Sequence, residues 1–366
     1  MRYKKLSDFS IGKGCYGIAA SAVNKNESLP TYLRITDIND DGTLNLLSLK
    51  SVDDAKADKY FLQPNDIVFA RTGGSTGRNY FYDGKDGEFV FAGFLIKFSI
   101  DPEKCVPKFI KYYCQSKEYQ NWVSSFNTGS TRGNINAKTF GELPIPNLPI
   151  EQQQFVVDTI SPIDDKIENN KKINHHLEQI GTIIWQKRFN NQVPNGVLGD
   201  IASISSGKRP PIKTTESTDD VKIPIIGASS IMGYTDKILY NHKILVTGRV
   251  GTHGIIQRYQ RSCWPSDNTL VLQSDFYEFV YQVLKHIDFK SLNRGSTQPL
   301  ITQTDLNKSE LYIPSISELL DFETVVGTHM KQYEQNNLEN EILFALRDTL
   351  LPKLLSGEIT INQAAK

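Results

Sequence analysis

The sequence lacks an excess of charge of either sign, and it lacks long apolar runs. Lysine plus arginine number 41 and aspartate plus glutamate also number 41 among the 366 residues, so the net charge does not indicate a polyanionic partner. Any nucleic-acid surface must therefore be a local patch. Ser7, Asp8, Lys13 and Gly14 interrupt the first residues before a secretion signal can form, and no later segment is long and apolar enough to span a membrane. We expect a cytoplasmic protein without a membrane segment.

Metal-ligand spacings and catalytic motifs are also missing. The four cysteines, Cys15, Cys105, Cys114 and Cys263, form no CxxC or Cys/His pattern, which disfavours both a zinc site and a disulfide framework. The chain has no HExxH helix motif, no GxSxG elbow and no Asn-Pro-Pro-Tyr-type tetrapeptide for amino-methylation. We predict no metal, no cofactor and no catalytic residue. The chain is expected to position something while other proteins perform the chemistry.

The strongest positive feature is an internal repeat, which indicates a duplicated structural unit. The segment GSTRGNINAKTFGELPIP occupies residues 129–146, and GSTQPLITQTDLNKSELYIP occupies residues 295–314. A long helical pattern follows each copy. Repeats of this kind predict that the two copies perform the same structural task at two places in the fold.

The helical patterns predict two long helices that pair with each other. A helix is expected to start near Ile150, and Ser161-Pro162 predicts a fresh helix start, from which a long helix runs to about Phe189. In the second copy Ser315 and Glu318 have the spacing of a capping box, Pro352 is expected to bend or end the helix, and Gly357 to stop it. A helix of about 27 residues spans about 40 Å, a suitable length for a spacer.

Each helix carries a coiled-coil seam with alternating spacings of three and four residues. The first seam is Ile163, Ile167, Asn170, Asn174, Leu177, Gly181 and Ile184, and the second is His329, Tyr333, Asn336, Asn340, Leu343, Arg347 and Leu350. In antiparallel pairing Asn170 faces Asn340 and Asn174 faces Asn336, so these amides would fix the register because an unpaired buried amide is costly. The alternative is that all four are solvated positions on ordinary amphipathic helices.

The chain is predicted to be an α+β protein with two globular domains of mixed composition and a pseudo-twofold repeat. Short apolar runs bounded by turn residues predict strands in both globular segments. We place the first domain at residues 1–148, the first helical spacer at 149–192, the second domain at 193–314, the second spacer at 315–357 and a tail at 358–366.

Two glycine-rich loops are candidates for binding DNA. RTGGSTGR at residues 71–78 lacks the lysine and the following helix of a Walker A loop, and TGRVGTHG at residues 247–254 also follows a strand-like run. Such loops offer backbone amides to phosphates and side-chain donors to base edges, although a tight hairpin turn with basic flanks is the alternative. The candidate DNA-binding residues are Arg34, Arg71, Thr72, Ser75, Thr76, Arg78, Arg132, Asn134, Lys208, Arg209, Arg249, Thr252, His253, Arg294 and Gln298.

In combination these features resemble a known family. Each segment begins with Leu-(Ser/Gly)-Asp, at residues 6–8 and 198–200, carries a strand with an R-x-G loop, and closes with the GST element, a (Leu/Ile)-Pro edge and a long helix. The second helix ends LLPKLLSGEI, at residues 350–359. Over its whole length the chain resembles the specificity subunit of type I restriction–modification enzymes.

The resemblance implies that each globular segment is a target-recognition domain for one half of a split double-stranded DNA sequence. It also implies that the antiparallel helices set the spacing of the halves and dock two modification (methyltransferase) subunits, which methylate adenine N6, with restriction subunits in the larger complex. We expect a bipartite, asymmetric target. Two alternatives stay open at this stage: a self-contained DNA methyltransferase or nuclease with an unrecognised motif, and a coiled-coil scaffold that binds proteins.

Overall fold

The computed structural model describes residues 2–126, 133–250, 252, 254–292 and 300–360. The chain divides into two compact units, the first formed by Met1–Glu168 with Asn340–Lys366 and the second by Asn169–Glu339. Each unit contains one globular segment together with parts of two long helices. The predicted α+β class with an internal repeat is confirmed.

The first unit is built on two four-stranded sheets. Its strands are β1 (Tyr3–Lys5), β2 (Cys15–Tyr16), β3 (Ala22–Val23), β4 (Thr31–Leu33), β5 (Lys50–Val52), β6 (Asp66–Ala70), β7 (Asn79–Tyr82), β8 (Phe89–Phe91), β9 (Leu95–Ser99) and β10 (Pro144–Pro146). Its short helices are α1 (Pro107–Tyr113), α2 (Lys117–Ser124) and α3 (Ala137–Gly141). The sheets have the strand orders β2-β9-β6-β7 and β3-β5-β4-β8, and β1 pairs with β10.

The central strand β6 is buried on both faces. Ile67 and Phe69 belong to one apolar cluster, and Val68 and Ala70 belong to another. This division follows from the alternation of side chains along a strand. Phe69 stacks on Phe140 of α3 with 4.8 Å between ring centroids, so the repeated segment that contains α3 is packed against the central strand.

The second unit repeats this plan after the long helix α4 (Ile150–Phe189), whose residues fall in both units. Its strands are β11 (Gly196–Val197), β12 (Ser203–Ser206), β13 (Ile223–Ile226), β14 (Ile231–Thr235), β15 (Ile244–Gly248), β16 (Gln257–Tyr259), β17 (Trp264–Pro265), β18 (Thr269–Gln273) and β19 (Glu310–Leu311). Its helices are α5 (Tyr277–His286), α6 (Gln303–Asn307) and the start of the long helix α7 (Ile316–Ser356). The sheet orders are β12-β18-β15-β16 and β14-β13-β17, and β11 pairs with β19.

Equivalent backbone hydrogen bonds occur within each unit, even where the sequences of the two units differ. Leu6 N donates to Leu143 O at 2.9 Å, and Leu198 N donates to Ser309 O at the same distance. The Asp8 carboxylate accepts from Lys5 N at 2.9 Å, and the Asp200 carboxylate accepts from Val197 N at 2.9 Å. The Leu-(Ser/Gly)-Asp start of each segment therefore forms one short helical turn that joins its strand to the repeated element.

A close approach between strands is also repeated, and it requires glycine. A Cβ atom at Gly17 would overlap the carbonyl oxygens of Phe91 and Ala92, and a Cβ atom at Gly207 would overlap those of Pro265 and Ser266. Gly17 follows β2 and Gly207 follows β12, so the same contact occurs at the same place in each unit. The globular segments are copies of one fold.

The long helix α4 differs from the sequence prediction at its start. The predicted fresh start at Ser161-Pro162 is wrong, because α4 is continuous from Ile150 to Phe189 with Pro162 inside it. Proline removes one backbone donor, but its fixed φ is compatible with the helix. The Ser161 hydroxyl lies 2.9 Å from the Tyr112 hydroxyl instead of capping a helix, and Ile160 is fully buried in the first unit's core. Packing of the residues just before the proline therefore outweighs the local signal for a fresh helix start.

The helix α7 begins with the predicted capping box. Ser315 N donates to the Glu318 carboxylate at 3.0 Å, and Glu318 N donates to Ser315 Oγ at 3.4 Å. Pro352 lies inside α7, which continues to Ser356. Gly357 follows with a φ of 76°, a conformation that favours glycine and ends a helix.

Within each unit α4 and α7 run antiparallel. In the first unit the Asp164 carboxylate lies 3.4 Å from Arg347, and Gln152 donates to the Ile359 carbonyl at 3.2 Å. In the second unit Arg188 pairs with Asp321 at 2.6 Å, and Asn170 donates to Glu339 at 2.8 Å. In both units, residues further along α4 contact residues nearer the start of the region 316–359, as antiparallel pairing requires. None of the helices described is long and apolar enough to cross a membrane.

Candidate nucleic-acid interface

In the first unit the glycine-rich loop connects β6 to β7. It makes a short turn at Gly73–Ser75, and Gly73 and Gly77 have φ angles of 78° and 88°, which favour glycine. A Cβ atom at Gly77 would in addition overlap the Val123 side chain of α2. A Cβ atom at Gly73 or Gly74 would meet no atom within 4 Å, so the outer side of the turn is open. The loop presents open backbone at its tip and is packed at its base.

The repeated segment holds this loop in place. Ile135 N donates to Arg71 O at 2.9 Å, and Thr72 forms a bridge with Asn134. The Thr76 hydroxyl donates to the carbonyls of Gly73 and Gly133 at 2.8 and 3.0 Å. The predicted residues Arg71, Thr72, Thr76 and Asn134 are therefore brought together on one surface, and half-buried Ser75 lies in the same turn.

The Arg71 side chain lies between an aromatic ring and an amide. Its guanidinium carbon is 4.9 Å from the ring centroid of Tyr16, and Nε and Nη2 donate to Asn134 Oδ1 at 3.4 and 3.3 Å. Tyr16 is 41% exposed, and its hydroxyl accepts a 3.1 Å hydrogen bond from Ala137 N. Stacking and hydrogen bonding restrict the orientation of the guanidinium plane.

Two other predicted arginines form ion pairs within the first unit. Arg34 donates to both oxygens of the fully buried Asp37 at 2.9 and 2.6 Å. Arg78 donates to both oxygens of Asp40 at 2.6 and 3.1 Å and to the Ile38 carbonyl at 3.1 Å. The hydrogen bond to Asp37 raises the pKa of Arg34, although burial opposes this shift. These contacts restrict both arginine side chains within the first unit. The DNA contacts predicted for the two residues stay predictions.

The second unit holds its loop with the same backbone bonds. Arg71 N donates to Phe94 O at 3.0 Å, and Arg249 N donates to Asn268 O at 2.8 Å. Ile301 N donates to Arg249 O at 3.0 Å, in the same way that Ile135 bonds to Arg71. Val250 forms a bridge with Leu300, the counterpart of the bridge between Thr72 and Asn134. Arg249 therefore occupies the backbone position of Arg71.

The remaining predicted residues are three exposed residues of the second unit and four residues outside the described part of the chain. Lys208 and Arg209 are exposed after β12, where the Trp264 indole donates to the Lys208 carbonyl at 2.7 Å. Thr252 is exposed in the loop. Arg132, His253, Arg294 and Gln298 lie outside the described residues, as do both GST triplets at residues 129–131 and 295–297. Their DNA contacts stay predictions.

Sequence reasoning missed the surroundings of Arg258 on β16. This side chain is 4% exposed, and it donates to both Glu278 oxygens at 2.6 and 2.9 Å and to Glu334 of α7 at 3.2 Å. The rings of Tyr277 and Tyr281 lie 4.8 and 4.6 Å from its guanidinium carbon. Burial opposes the charge, but hydrogen bonds to Glu278 and the nearby carboxylates raise the pKa of Arg258. The arginine links the hairpin that carries the loop to α5 and α7.

Glu323 of α7 is a half-buried carboxylate that also contacts α5. The Glu323 carboxylate accepts from the backbone of Phe279 at 2.8 Å and of Glu278 at 3.1 Å, at the start of α5. Burial raises the pKa of Glu323 to about 7, although these hydrogen bonds oppose the shift. Among the described residues no group of His, Cys, Asp and Glu side chains has the arrangement of a metal site.

The seam asparagines are buried. Asn336 donates to Asn174 Oδ1 at 2.8 Å, and Asn174 donates to Asn337 Oδ1 at 2.8 Å. Asn170 lies in the second unit and Asn340 in the first, with exposures of 1% and 6%. The alternative that all four asparagines are solvated is therefore wrong. Their role in setting the register of the helices stays a prediction.

The chain contains two copies of one fold. In each copy a repeated segment holds a loop that carries an arginine, and a long helix follows. This arrangement is that of a duplicated recognition protein. The family model for the type I restriction modification DNA specificity domain matches residues 2–179 and 193–347, which is most of the chain. The chain therefore belongs to the family of type I restriction–modification DNA specificity subunits.

Individual relatives are distant. The chain is 23% identical over 313 residues to the type I restriction enzyme MjaIX specificity subunit of Methanocaldococcus jannaschii, with 72% of each protein covered. It is 22% identical over 408 aligned positions to the type I restriction enzyme HindI specificity subunit of Haemophilus influenzae, covering 82% of this chain and 88% of that protein. The crystal structure of the type I restriction–modification S subunit from M. genitalium has a similar fold, with a TM-score of 0.58, 18% identity and coverage of 96% and 95%.

The family assigns the chain a role in recognition. It is a DNA-recognition subunit of a type I restriction–modification system, and catalysis belongs to partner subunits. The comparisons do not support a self-contained enzyme or a protein-binding scaffold.

Proposed function

We propose that each globular segment reads one half of a bipartite, asymmetric DNA target. The observation that carries this proposal is the equivalent placement of Arg71 and Arg249, whose carbonyls accept from Ile135 and Ile301 in the two units. The backbone is the same, but the side chains around the two arginines differ. Two loops that have the same backbone hydrogen bonds but different side chains are suited to bind two half-sites of different sequence.

The contacts to DNA are divided between positioning and reading. Lys208 and Arg209 are exposed and suited to phosphate contacts, whereas Arg71, Arg249 and their neighbours are suited to base edges. The chain has no net charge. Partner subunits therefore supply much of the electrostatic attraction to the backbone, and the isolated chain binds DNA weakly.

The helices α4 and α7 act as the spacer between the half-sites and as the docking surface for partners. Two modification subunits bind the repeated helical elements and methylate adenine N6, and restriction subunits join the larger complex. The relatives are named as specificity subunits of type I restriction enzymes, which supports this assembly. The complex works in the cytoplasm, where it meets chromosomal DNA.

The direct test is modified-base sequencing of genomic DNA. Cells that express this chain with its modification subunit are compared with cells that lack only this chain. The proposal expects a split motif with methylated adenine that disappears when the chain is removed. A continuous or palindromic motif would contradict the bipartite reading, and methylation that is unchanged without the chain would contradict the recognition role in that complex.

A further inference from the structure

The predicted arginines Arg34, Arg71 and Arg78 of the first unit differ in whether a carboxylate compensates their charge. Arg34 and Arg78 each make a two-point contact with a carboxylate, Asp37 and Asp40 respectively. Among the described residues no ion pair involves Arg71, whose polar side-chain partner is the neutral Asn134 amide. Among the described residues no carboxylate therefore compensates the charge of Arg71, at the base of the open loop.

The contacts of Arg71 fix the orientation of its guanidinium without using all its donors. Nε and Nη2 share the Asn134 oxygen on one edge, and the Tyr16 ring lies along the guanidinium at 4.9 Å. The donors of Nη1 take part in no hydrogen bond among the described residues, and Nη2 has a further N–H. An arginine held at one edge and supported by a ring presents a planar pair of donors in a defined direction.

We propose that Arg71 reads a guanine in the major groove of the first half-site, with Tyr16 and Asn134 as its positioning residues. This inference rests on the proposed function and names the base that one domain selects. Guanine presents two adjacent acceptors, N7 and O6, to the major groove, whereas adenine presents one acceptor beside a donor. The guanidinium has donors only, so its paired N–H groups match guanine and oppose adenine.

Among the described residues of the second unit, the side chains at the equivalent positions differ from those around Arg71. The counterpart of Tyr16 is Ser206, which precedes Gly207 as Tyr16 precedes Gly17, and its hydroxyl accepts from Gln303 at 2.8 Å. The counterpart of Asn134 is Leu300, which bridges Val250. Neither side chain offers Arg249 an aromatic ring or an amide oxygen, so the described residues support an oriented guanine contact in the first half-site only.

The test uses the chain assembled with its modification subunits and a duplex that contains its target. Each guanine is replaced in turn by 7-deazaguanine, which loses the N7 acceptor but keeps Watson–Crick pairing, and the Kd is measured for the wild type and for Arg71→Ala. We expect one position in one half-site where 7-deazaguanine weakens wild-type binding about tenfold and does not weaken Arg71→Ala binding. On the unmodified target Arg71→Ala weakens binding roughly 10- to 100-fold.

Further variants separate positioning from general structural support. Tyr16→Ala and Asn134→Ala should reduce the 7-deazaguanine sensitivity at the same position, while Tyr16→Phe should keep it because the ring remains. Arg249→Ala is the matched control: it should weaken binding through the other half-site and keep the sensitivity at the first. Retained discrimination in the second half-site shows that a first-unit variant is folded.

Three results would overturn the inference. Equal 7-deazaguanine effects in wild type and Arg71→Ala would show that Arg71 does not contact that base edge. Arg71→Ala could instead weaken binding to the target and to unrelated duplexes by the same factor and reduce the salt dependence of the Kd. That result would make Arg71 a phosphate contact. Each of these results leaves the proposed function standing. A wild-type complex without preference for any bipartite sequence would instead contradict the proposed function, and the inference with it.

Discussion

Asn336 of α7 donates a 2.8 Å hydrogen bond to Asn174 of α4, and both side chains are more than nine-tenths buried. The Asn174 amide in turn donates to Asn337 and to the Tyr333 carbonyl, and the Asn336 oxygen accepts from Gln332. The pair therefore belongs to a connected polar network inside a helical interface. Such networks define which residues face each other, because any shift of one helix leaves amides unpaired.

Asn174→Ala should destabilise the second unit by about 1–3 kcal/mol, because the amide of Asn336 loses its buried acceptor. The double variant Asn174→Leu with Asn336→Leu should recover most of this loss, since both polar groups are removed together. Thermal unfolding of the two variants and the wild type measures the difference. A double variant that is less stable than Asn174→Ala would contradict this account of the buried amide pair.

Arg258→Met should cost about 3–5 kcal/mol, because it leaves the Glu278 carboxylate buried without its charge partner. Arg209→Ala is the matched control at an exposed position, and it should change stability by less than about 0.5 kcal/mol. Denaturant unfolding compares the two. Because β16 belongs to the hairpin that carries the 247–254 loop, Arg258→Met should also weaken selectivity in the second half-site only. Equal stability of the two variants would show that the buried contacts contribute little.

Glu323 should make the stability of the second unit depend on pH. Burial raises the folded pKa of Glu323 from 4.5 to about 7, so the folded state favours the protonated form. The contribution of Glu323 is therefore fully present below about pH 4.5 and is lost as the pH rises through 7, with a total change of at most about 3 kcal/mol. Glu323→Gln should remove this dependence. Unfolding midpoints of both proteins from pH 5 to pH 8 test it, and parallel curves would contradict the assignment.

Gly207→Ala should destabilise the second unit by about 1–3 kcal/mol or more, because the added Cβ atom would overlap the carbonyl oxygens of Pro265 and Ser266. Gly327→Ala is the control, since a Cβ atom in that α7 position meets no atom within 4 Å. It should stabilise the chain by up to about 1 kcal/mol through helix propensity. A thermal midpoint that stays unchanged for Gly207→Ala would contradict the close strand approach, and one that falls for Gly327→Ala would contradict the open space at that position of α7.

The sequence predicted the features that depend on local pattern. The long helices, their seams and the capping box at Ser315 follow from spacings that are visible along the chain. The helix start at Pro162 was wrong, because local capping signals were outweighed by the packing of Ile160 and the bond from Ser161 to Tyr112. Tertiary contacts decide such cases.

The candidate interface was predictable only in part. The glycine-rich loops were found from composition, but the sequence does not show that Tyr16 lies against Arg71, since the two are far apart along the chain. The pair formed by Arg34 and Asp37 could have been suspected from their spacing of three residues. The likeness of the two domains was weak in sequence because their shared contacts are backbone hydrogen bonds, which place little demand on side chains beyond glycine at positions such as 17 and 207.

The most direct test of the central claim is modified-base sequencing in cells that express Arg71→Ala or Arg249→Ala together with the modification subunits. The account predicts that Arg71→Ala relaxes or abolishes selection in one half of the split motif, and that Arg249→Ala does so in the other half. Changes in the same half for both variants, or complete and equal loss of the whole motif, would contradict two independent recognition domains.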